Sequence, residues 1–185
     1  MSVDLQHIQE VWREADLLVP EQQVESALDT LGQNITARLA DKNPIVVCLM
    51  NGGLIISGKL LPRLSFPLQV DYIHATRYRD NTIGSDIHWR VEPHLGFEDR
   101  TILIVDDILD EGHTLVEVIA FCKAKGAAEV LSAVLLDKQH DRKAVPGFKA
   151  EFTGLEVEDR YVFGYGMDYK GYLRNAAGIY AVKGM

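Results

Sequence analysis

The sequence predicts an α/β fold in which a mainly parallel central sheet is flanked by helices. Three observations carry that expectation. The short runs Ile45–Met50 and Ile102–Val105 are continuously apolar and rich in β-branched residues, and Val130–Leu136 is apolar but for Ser132, as strands buried on both faces are. Helical periodicity returns after two of them, over 54–61 and 114–125. In the stretch 101–114, strand, acidic loop and helix start follow without a gap, which places the loop at the carboxyl ends of the strands, where open parallel sheets bind ligands.

Taken in order, residues 4–18 carry Leu5, Ile8, Val11, Trp12 and Ala15 at three- and four-residue spacing, an amphipathic helix. Pro20 suits the first position of a second helix, whose apolar face runs through Val24, Ala27, Leu28, Leu31, Ile35 and Leu39. Asp41 to Pro44 turn the chain into the strand 45–50. Asn51-Gly52-Gly53 follows it, and two glycines at a strand-to-helix junction let backbone N–H groups approach an anion. Residues 68–73 alternate in polarity and read as a more exposed strand, and 76–88 are polar and aperiodic, a lid or a hairpin returning through His88 to Val91. Gly126 is placed to end the helix 114–125. The strand 130–136 ends in Asp137-Lys138, and His140, Asp141, Arg142 and Lys143 read as a solvated turn. The six histidines show no metal-ligand spacing. Tyr161 to Tyr169 form an aromatic, glycine-punctuated run in which Tyr161 suits stacking on a planar base, and Tyr165, Tyr169 and Tyr172 read as structural.

At 185 residues the chain is expected to form one domain, 1–185. A net charge of −8 provides no basic surplus for general nucleic-acid binding. No apolar run approaches membrane-spanning length, and the N-terminus lacks a positive region followed by an apolar one. Cys48 and Cys122 read as buried thiols, so the expected compartment is the cytoplasm.

The chemistry concentrates at Asp106, Asp107, Asp110 and Glu111, before Gly112, His113 and Thr114. A turn at Gly112 into a helix start offers free N–H groups to a phosphate. Asp106 and Asp107 are acceptors that attract no phosphate but accept from hydroxyls, so the pair of features suits a sugar phosphate.

Val105-Asp106-Asp107-Ile108-Leu109-Asp110-Glu111-Gly112-His113-Thr114 closely resembles the phosphoribosyl-pyrophosphate motif of type I phosphoribosyltransferases, with Glu111 where the family commonly has Thr or Ser. The resemblance runs in order from about residue 44 to residue 174. It implies the fold of that family: a core over about 44–140 and a small hood made of the N-terminal helices and about 150–185. In purine phosphoribosyltransferases the loop after the first strand contacts pyrophosphate, often with a cis peptide between non-proline residues. The bond before Asn51 is the candidate here, with Gly52 beside it, and Asn51 stands where many relatives have Lys. Arg77-Tyr78 occupies the place of Ser-Tyr in a mobile loop that closes over the site.

The resemblance to hypoxanthine–guanine phosphoribosyltransferases extends these implied roles. Asp106, Asp107, Asp110, Glu111, Gly112, His113 and Thr114 would hold ribose and 5′-phosphate. Lys138 would read a 6-oxo group, Tyr161 would stack on the base, and Val162 would contact it through backbone groups. Asp168 would lie near the 2-position of the base and near a magnesium ion, and Arg174 would contact pyrophosphate. Asp110 would accept a proton at N7. The implied partners are phosphoribosyl pyrophosphate and a 6-oxopurine, with neither nucleic acid nor membrane, in a homodimer or homotetramer. A nucleotide-sensing regulator on the same fold and a preference for xanthine are the competing expectations.

Overall fold

The computed structural model describes residues 4–77 and 87–185. Helix α1 (Leu5–Glu14) is capped by the Asp4 side chain, which accepts from the Gln6 N–H at 3.0 Å. Strand β1 (Asp16–Pro20) follows. It replaces the end of the helix expected over 4–18. A residue before proline is disfavoured in the helical region, and the segment instead pairs antiparallel with β9 (Gly178–Ala181). Pro20 therefore ends the strand, at φ −63° and ψ 151°, and helix α2 (Glu21–Leu39) begins one residue later than expected.

The central sheet contains β2 (Ile45–Met50), β3 (Gln69–Arg77), β4 (Ile87–Val91), β5 (Thr101–Leu109), β6 (Glu129–Gln139) and β7 (Phe152–Glu158), in the order β4-β3-β2-β5-β6-β7. All pairings are parallel except β3 with β4. Side chains alternate across it. On β5, Leu103 and Val105 pack on the side that also holds Val24, Leu28 and Leu31 of α2, while Ile102 and Ile104 pack with Leu115, Val118 and Cys122 of the opposite layer. Burial on both faces explains why these strands read as unbroken apolar runs. On β3, by contrast, Val70 and Tyr72 are exposed between buried Asp71 and Ile73, as the alternation in that segment requires.

Helix α3 (Gly53–Leu60) links β2 to β3 and runs into a 3₁₀ turn, Leu61–Arg63. Helix α4 (His113–Ala124) links β5 to β6, with Gly126 at φ +84° just past its end. Three lengths differ from the sequence expectation. Strand β5 continues through the acidic pair to Leu109, because Asp106, Ile108 and Leu109 keep partners on β6. Strand β6 likewise carries Asp137 and Lys138 within it. Strand β7, in the stretch assigned to the hood, extends the central sheet.

The hood sheet joins β1, β9 and β8 (Val162–Phe163), drawn from both ends of the chain. Its core of Phe163, Tyr169, Leu173, Ala176 and Val182 is completed by Ile8 of α1. Of the polar stretch 76–88, residues 76–77 end β3 and 87–88 begin β4, the return strand of a hairpin; the remainder, including Tyr78, lies outside the described residues.

Candidate active site

A cleft of about 840 Å³ opens at the carboxyl ends of β2, β3 and β5. Its wall takes Asn51 and Gly52 from the β2–α3 loop, Asp106, Asp107 and Asp110 from the end of β5, and Glu111 to Leu115 from the start of α4. His74 and Thr76 come from β3, and Asp168 and Arg174 from the hood. Parallel strands in register end together, so residues more than fifty positions apart in sequence share one rim.

The Met50–Asn51 peptide is cis, at the bond singled out from the sequence, and Asn51 is exposed on the rim. Both glycines of the loop are required by close packing on β5. A Cβ on Gly53 would lie 2.4 Å from the Val105 carbonyl oxygen, and one on Gly52 would lie 2.5 Å from the Asp107 carboxylate.

Asp106 and Asp107 are neighbours in the strand, and the Asp107 N–H donates to Asp106 Oδ1 at 2.9 Å. Burial pushes the Asp106 carboxyl up, and repulsion from Asp107 pushes it further. Burial also raises Asp107, against partial relief from its contact with Asp106 and from Arg174. Arg174 is the cation facing this pair, with Nη1 3.8 Å from Asp107 Oδ2. The same guanidinium donates to Asp168 Oδ1 at 2.5 Å and to the Gly166 carbonyl at 2.5 Å, and the Gly171 N–H holds the other Asp168 oxygen at 2.6 Å. Asp106, Asp107 and Asp168 thus place three carboxylates against one guanidinium. That surplus of hard oxygen donors is the composition that suits a magnesium ion shared with a ligand.

Gly112, at φ +83°, turns β5 into α4 with no side-chain cap on the helix. The first amides of α4 are thus left without a side-chain acceptor, and Gly112, His113 and Thr114 line the cleft. Glu111 is half exposed, and its carboxylate lies 3.5 Å from His113 Nε2.

The segment after β6 departs from expectation. Asp141 and Arg142 are exposed, as a solvated turn requires, but His140 and Lys143 point inward, with side chains 4% and 12% exposed. His140 Nε2 lies 2.7 Å from Asp110 Oδ1, and Lys138 Nζ donates to Asp110 Oδ2 at 2.9 Å. Lys143 Nζ donates to the carbonyls of Leu109, Asp110 and Lys138 and to Asp137 Oδ1, all within 2.9 Å. Hydrophilic composition does not reveal that buried carbonyls and carboxylates beneath the turn need donors. Asp110, His140 and Asp159 also bring metal-ligating atoms within 4.8 Å of one another. The Lys138 ammonium already serves as the cation there, 3.8 Å from Asp159.

The base-binding candidates converge less completely. Lys138 is buried one layer behind Asp110, and Val162 is buried in β8. Tyr161 is 42% exposed, its ring edge-on to Tyr169 with centroids 5.5 Å apart. None of the three belongs to the cleft wall described above. Tyr165 and Tyr169 are buried, bonded respectively to Glu25 (2.6 Å) and His7 (3.0 Å), while Tyr172 is exposed. His74 in the wall went unread in the sequence; its only signal was its place in a strand that ends beside Asn51. Burial, with Arg90 nearby, holds its imidazole below the usual histidine range. Arg77 ends β3.

Comparison with known proteins adds a second line of observation. The family model described as "Phosphoribosyl transferase domain" matches residues 15–170. A hypoxanthine-guanine phosphoribosyltransferase of Bacillus subtilis (strain 168) is 31% identical over 160 residues, covering 86% of this chain and 88% of that protein. A hypoxanthine-guanine-xanthine phosphoribosyltransferase of Tritrichomonas foetus is 29% identical over 161 residues, 86% of each chain. A crystal structure of a hypoxanthine phosphoribosyltransferase from Staphylococcus aureus superposes with a TM-score of 0.86 at 23% identity, covering 99% of this chain and 97% of that one.

Proposed function

The chain belongs to the phosphoribosyl transferase domain family, and on that premise we propose that it is a purine-salvage enzyme. It transfers 5-phosphoribosyl from phosphoribosyl pyrophosphate to N9 of hypoxanthine or guanine, giving IMP or GMP and pyrophosphate. The observation that carries this reading is the pair Asp106–Asp107, its second member buried, beside the amino end of α4, with Asp168 and Arg174 facing it from the hood.

Each half of the sugar phosphate finds its complement. The ribose hydroxyls donate to Asp106 and Asp107, whose burial without a full counter-charge leaves them in need of donors. The 5′-phosphate sits on the amides of residues 110–114 with the Thr114 hydroxyl. Asn51 and Gly52 line the pyrophosphate side with Arg174, and His74 adds a further donor there. In the reaction the C1′–O bond to pyrophosphate breaks as the bond to N9 forms, and Asp110 accepts the purine proton at N7. Lys138 donates to the 6-oxo group and disfavours adenine, whose amino group offers a second donor. Tyr161 stacks on the base while Val162 meets it through backbone groups. The lid role of Arg77 and Tyr78 completes this reading. Magnesium, held by Asp168 together with ligand oxygens, would neutralise charge on the departing pyrophosphate.

The same reading carries a cytoplasmic homodimer or homotetramer: Cys48 and Cys122 are free, buried thiols, and Val70 and Tyr72 leave apolar surface exposed on β3. No helix among the described residues is long and apolar enough to cross a membrane.

Pyrophosphate release from phosphoribosyl pyrophosphate and magnesium, with hypoxanthine, guanine, xanthine, adenine and uracil in parallel, tests the proposal. Turnover with the first two and not with adenine is expected. Xanthine turnover would widen the substrate range, and tight sugar-phosphate binding without turnover on any base would overturn the reading in favour of a sensor.

A further inference from the structure

Resting on the transferase reading above, we propose that His140 is a positioning residue for Asp110. Its imidazole holds the carboxylate in the orientation that takes the purine proton, so that Lys138 can turn its ammonium to the 6-oxo group.

The hydrogen bonds fix the tautomer. The backbone N–H of Arg142 donates to His140 Nδ1 at 3.0 Å, so that nitrogen carries a lone pair. The proton then resides on Nε2, which donates to Asp110 Oδ1 at 2.7 Å. A proton on Nδ1 would face the Arg142 N–H donor to donor, so Nδ1 is the acceptor and Nε2 the donor.

The ring is held from both sides. Lys143 ties the carbonyls of Leu109, Asp110 and Lys138 together, fixing the two strand ends that carry Asp110 and Lys138. Arg142 is anchored to both oxygens of Asp159 at 2.6 and 3.1 Å. The charged groups around His140 are therefore Asp110, Lys138, Arg142, Asp159 and Lys143, and Lys138 shares Asp110 with it.

Lys138 alone cannot perform this task. It donates to Oδ2 of Asp110, yet the same ammonium is needed by the 6-oxo group, and a flexible lysine is a point charge with no fixed plane. When it turns to the base, Oδ2 loses its donor while the bond from His140 to Oδ1 stays. Burial by itself would raise the Asp110 carboxyl, but Lys138 and His140 together hold it below the usual range. Removing His140 therefore loosens the carboxylate and raises its basicity together.

The test compares His140→Ala with His140→Gln, which retains an amide donor at similar reach. In His140→Ala, kcat is expected to fall about 10- to 100-fold, the scale of one hydrogen bond to a charged group. KM for phosphoribosyl pyrophosphate should stay within about two-fold. The acidic limb of the kcat–pH profile should move to higher pH, and His140→Gln should recover most of both effects. A loss of kcat with no movement of the limb and no recovery in His140→Gln would assign a merely structural role and overturn the proposal, as would an unchanged kcat. The carboxyl carbon resonance of Asp110, assigned with Asp110→Asn, reads the same question without turnover: its titration should move to higher pH in His140→Ala. An enzyme without transferase activity but with that shift would refute the transferase reading alone, and an unmoved titration would refute the positioning role.

Discussion

Gly52 and Asp107 are in contact across two elements: the loop after β2 lies so close to β5 that a Cβ on Gly52 would be 2.5 Å from Asp107 Oδ2. The opposite side is equally full, since a Cβ on Gly166 would lie 2.3 Å from the Gly52 carbonyl oxygen. The hood thus packs on the loop backbone to backbone, and the loop backbone in turn packs on the Asp107 carboxylate from the other half of the cleft.

Gly52→Ala should displace the Asp107 carboxylate. The expected cost is about 1–3 kcal/mol in stability, the scale of overpacking a well-filled site. Turnover should suffer more than folding, with kcat/KM for phosphoribosyl pyrophosphate down by roughly 10²-fold, the scale of a 1 Å misplacement. Urea unfolding beside steady-state kinetics checks both, and kinetics unchanged from wild type would contradict the contact.

Asp106→Asn should separate stability from function. A buried carboxyl whose pKa is raised in the folded state costs stability at pH values above that pKa, and the cost disappears as pH falls through it and the group protonates. The unliganded variant should therefore be more stable than wild type at pH 8, by roughly 1–3 kcal/mol, and the difference should shrink toward acid. Turnover should be lost at every pH. Thermal melts from pH 5 to 8 read the first outcome, and a gain that grew toward acid would reverse the assigned sign.

Asp110 has the opposite sign. Held below its usual range, it contributes stability above the unfolded-state pKa that is lost as pH falls through the folded one. Asp110→Asn should slow chemistry by roughly 10²-fold or more, the scale of a lost general base, while binding of phosphoribosyl pyrophosphate measured by calorimetry stays near wild type. Unchanged single-turnover rates would remove Asp110 from proton transfer.

Lys143→Met should destabilise the fold out of proportion to its place in a surface turn. Asp137, with a side chain 6% exposed, would lose its charge partner, and breaking one side of a buried pair costs about 3–5 kcal/mol. Asp137→Asn in the same variant should restore part of that loss by removing the stranded charge. Chemical denaturation of the single and double variants measures the coupling, and a loss below about 1 kcal/mol would mean that Lys143 behaves as a surface lysine.

Strands β2, β5 and β6 of the central sheet were readable because burial on two faces leaves an apolar run whatever the neighbours are, as Ile102–Val105 shows. Their ends were not readable. Asp106 and Asp107 look like the start of a loop, yet β6 supplies partners to Asp106, Ile108 and Leu109 that keep the segment in the strand. Asp16 and Leu17, inside the helix expected over 4–18, lie in a strand because the segment that pairs with them is some 160 residues later, although Pro20 already disfavours a helix running up to it.

The sequence by itself determined the fold class, the turn at Gly112 into a helix and the acidic pair Asp106–Asp107 before it, since each depends on local patterning or on a contiguous motif. Only the tertiary structure decided which groups meet. The hood brings Arg174 to Asp107, the close approach of two elements rather than an anion alone requires Gly52, and an apparently solvated turn delivers His140 and Lys143 to Asp110. The reason is physical: a side chain's partner, and hence its charge state and orientation, is set by what lies across space from it, and a linear pattern records only what lies beside it.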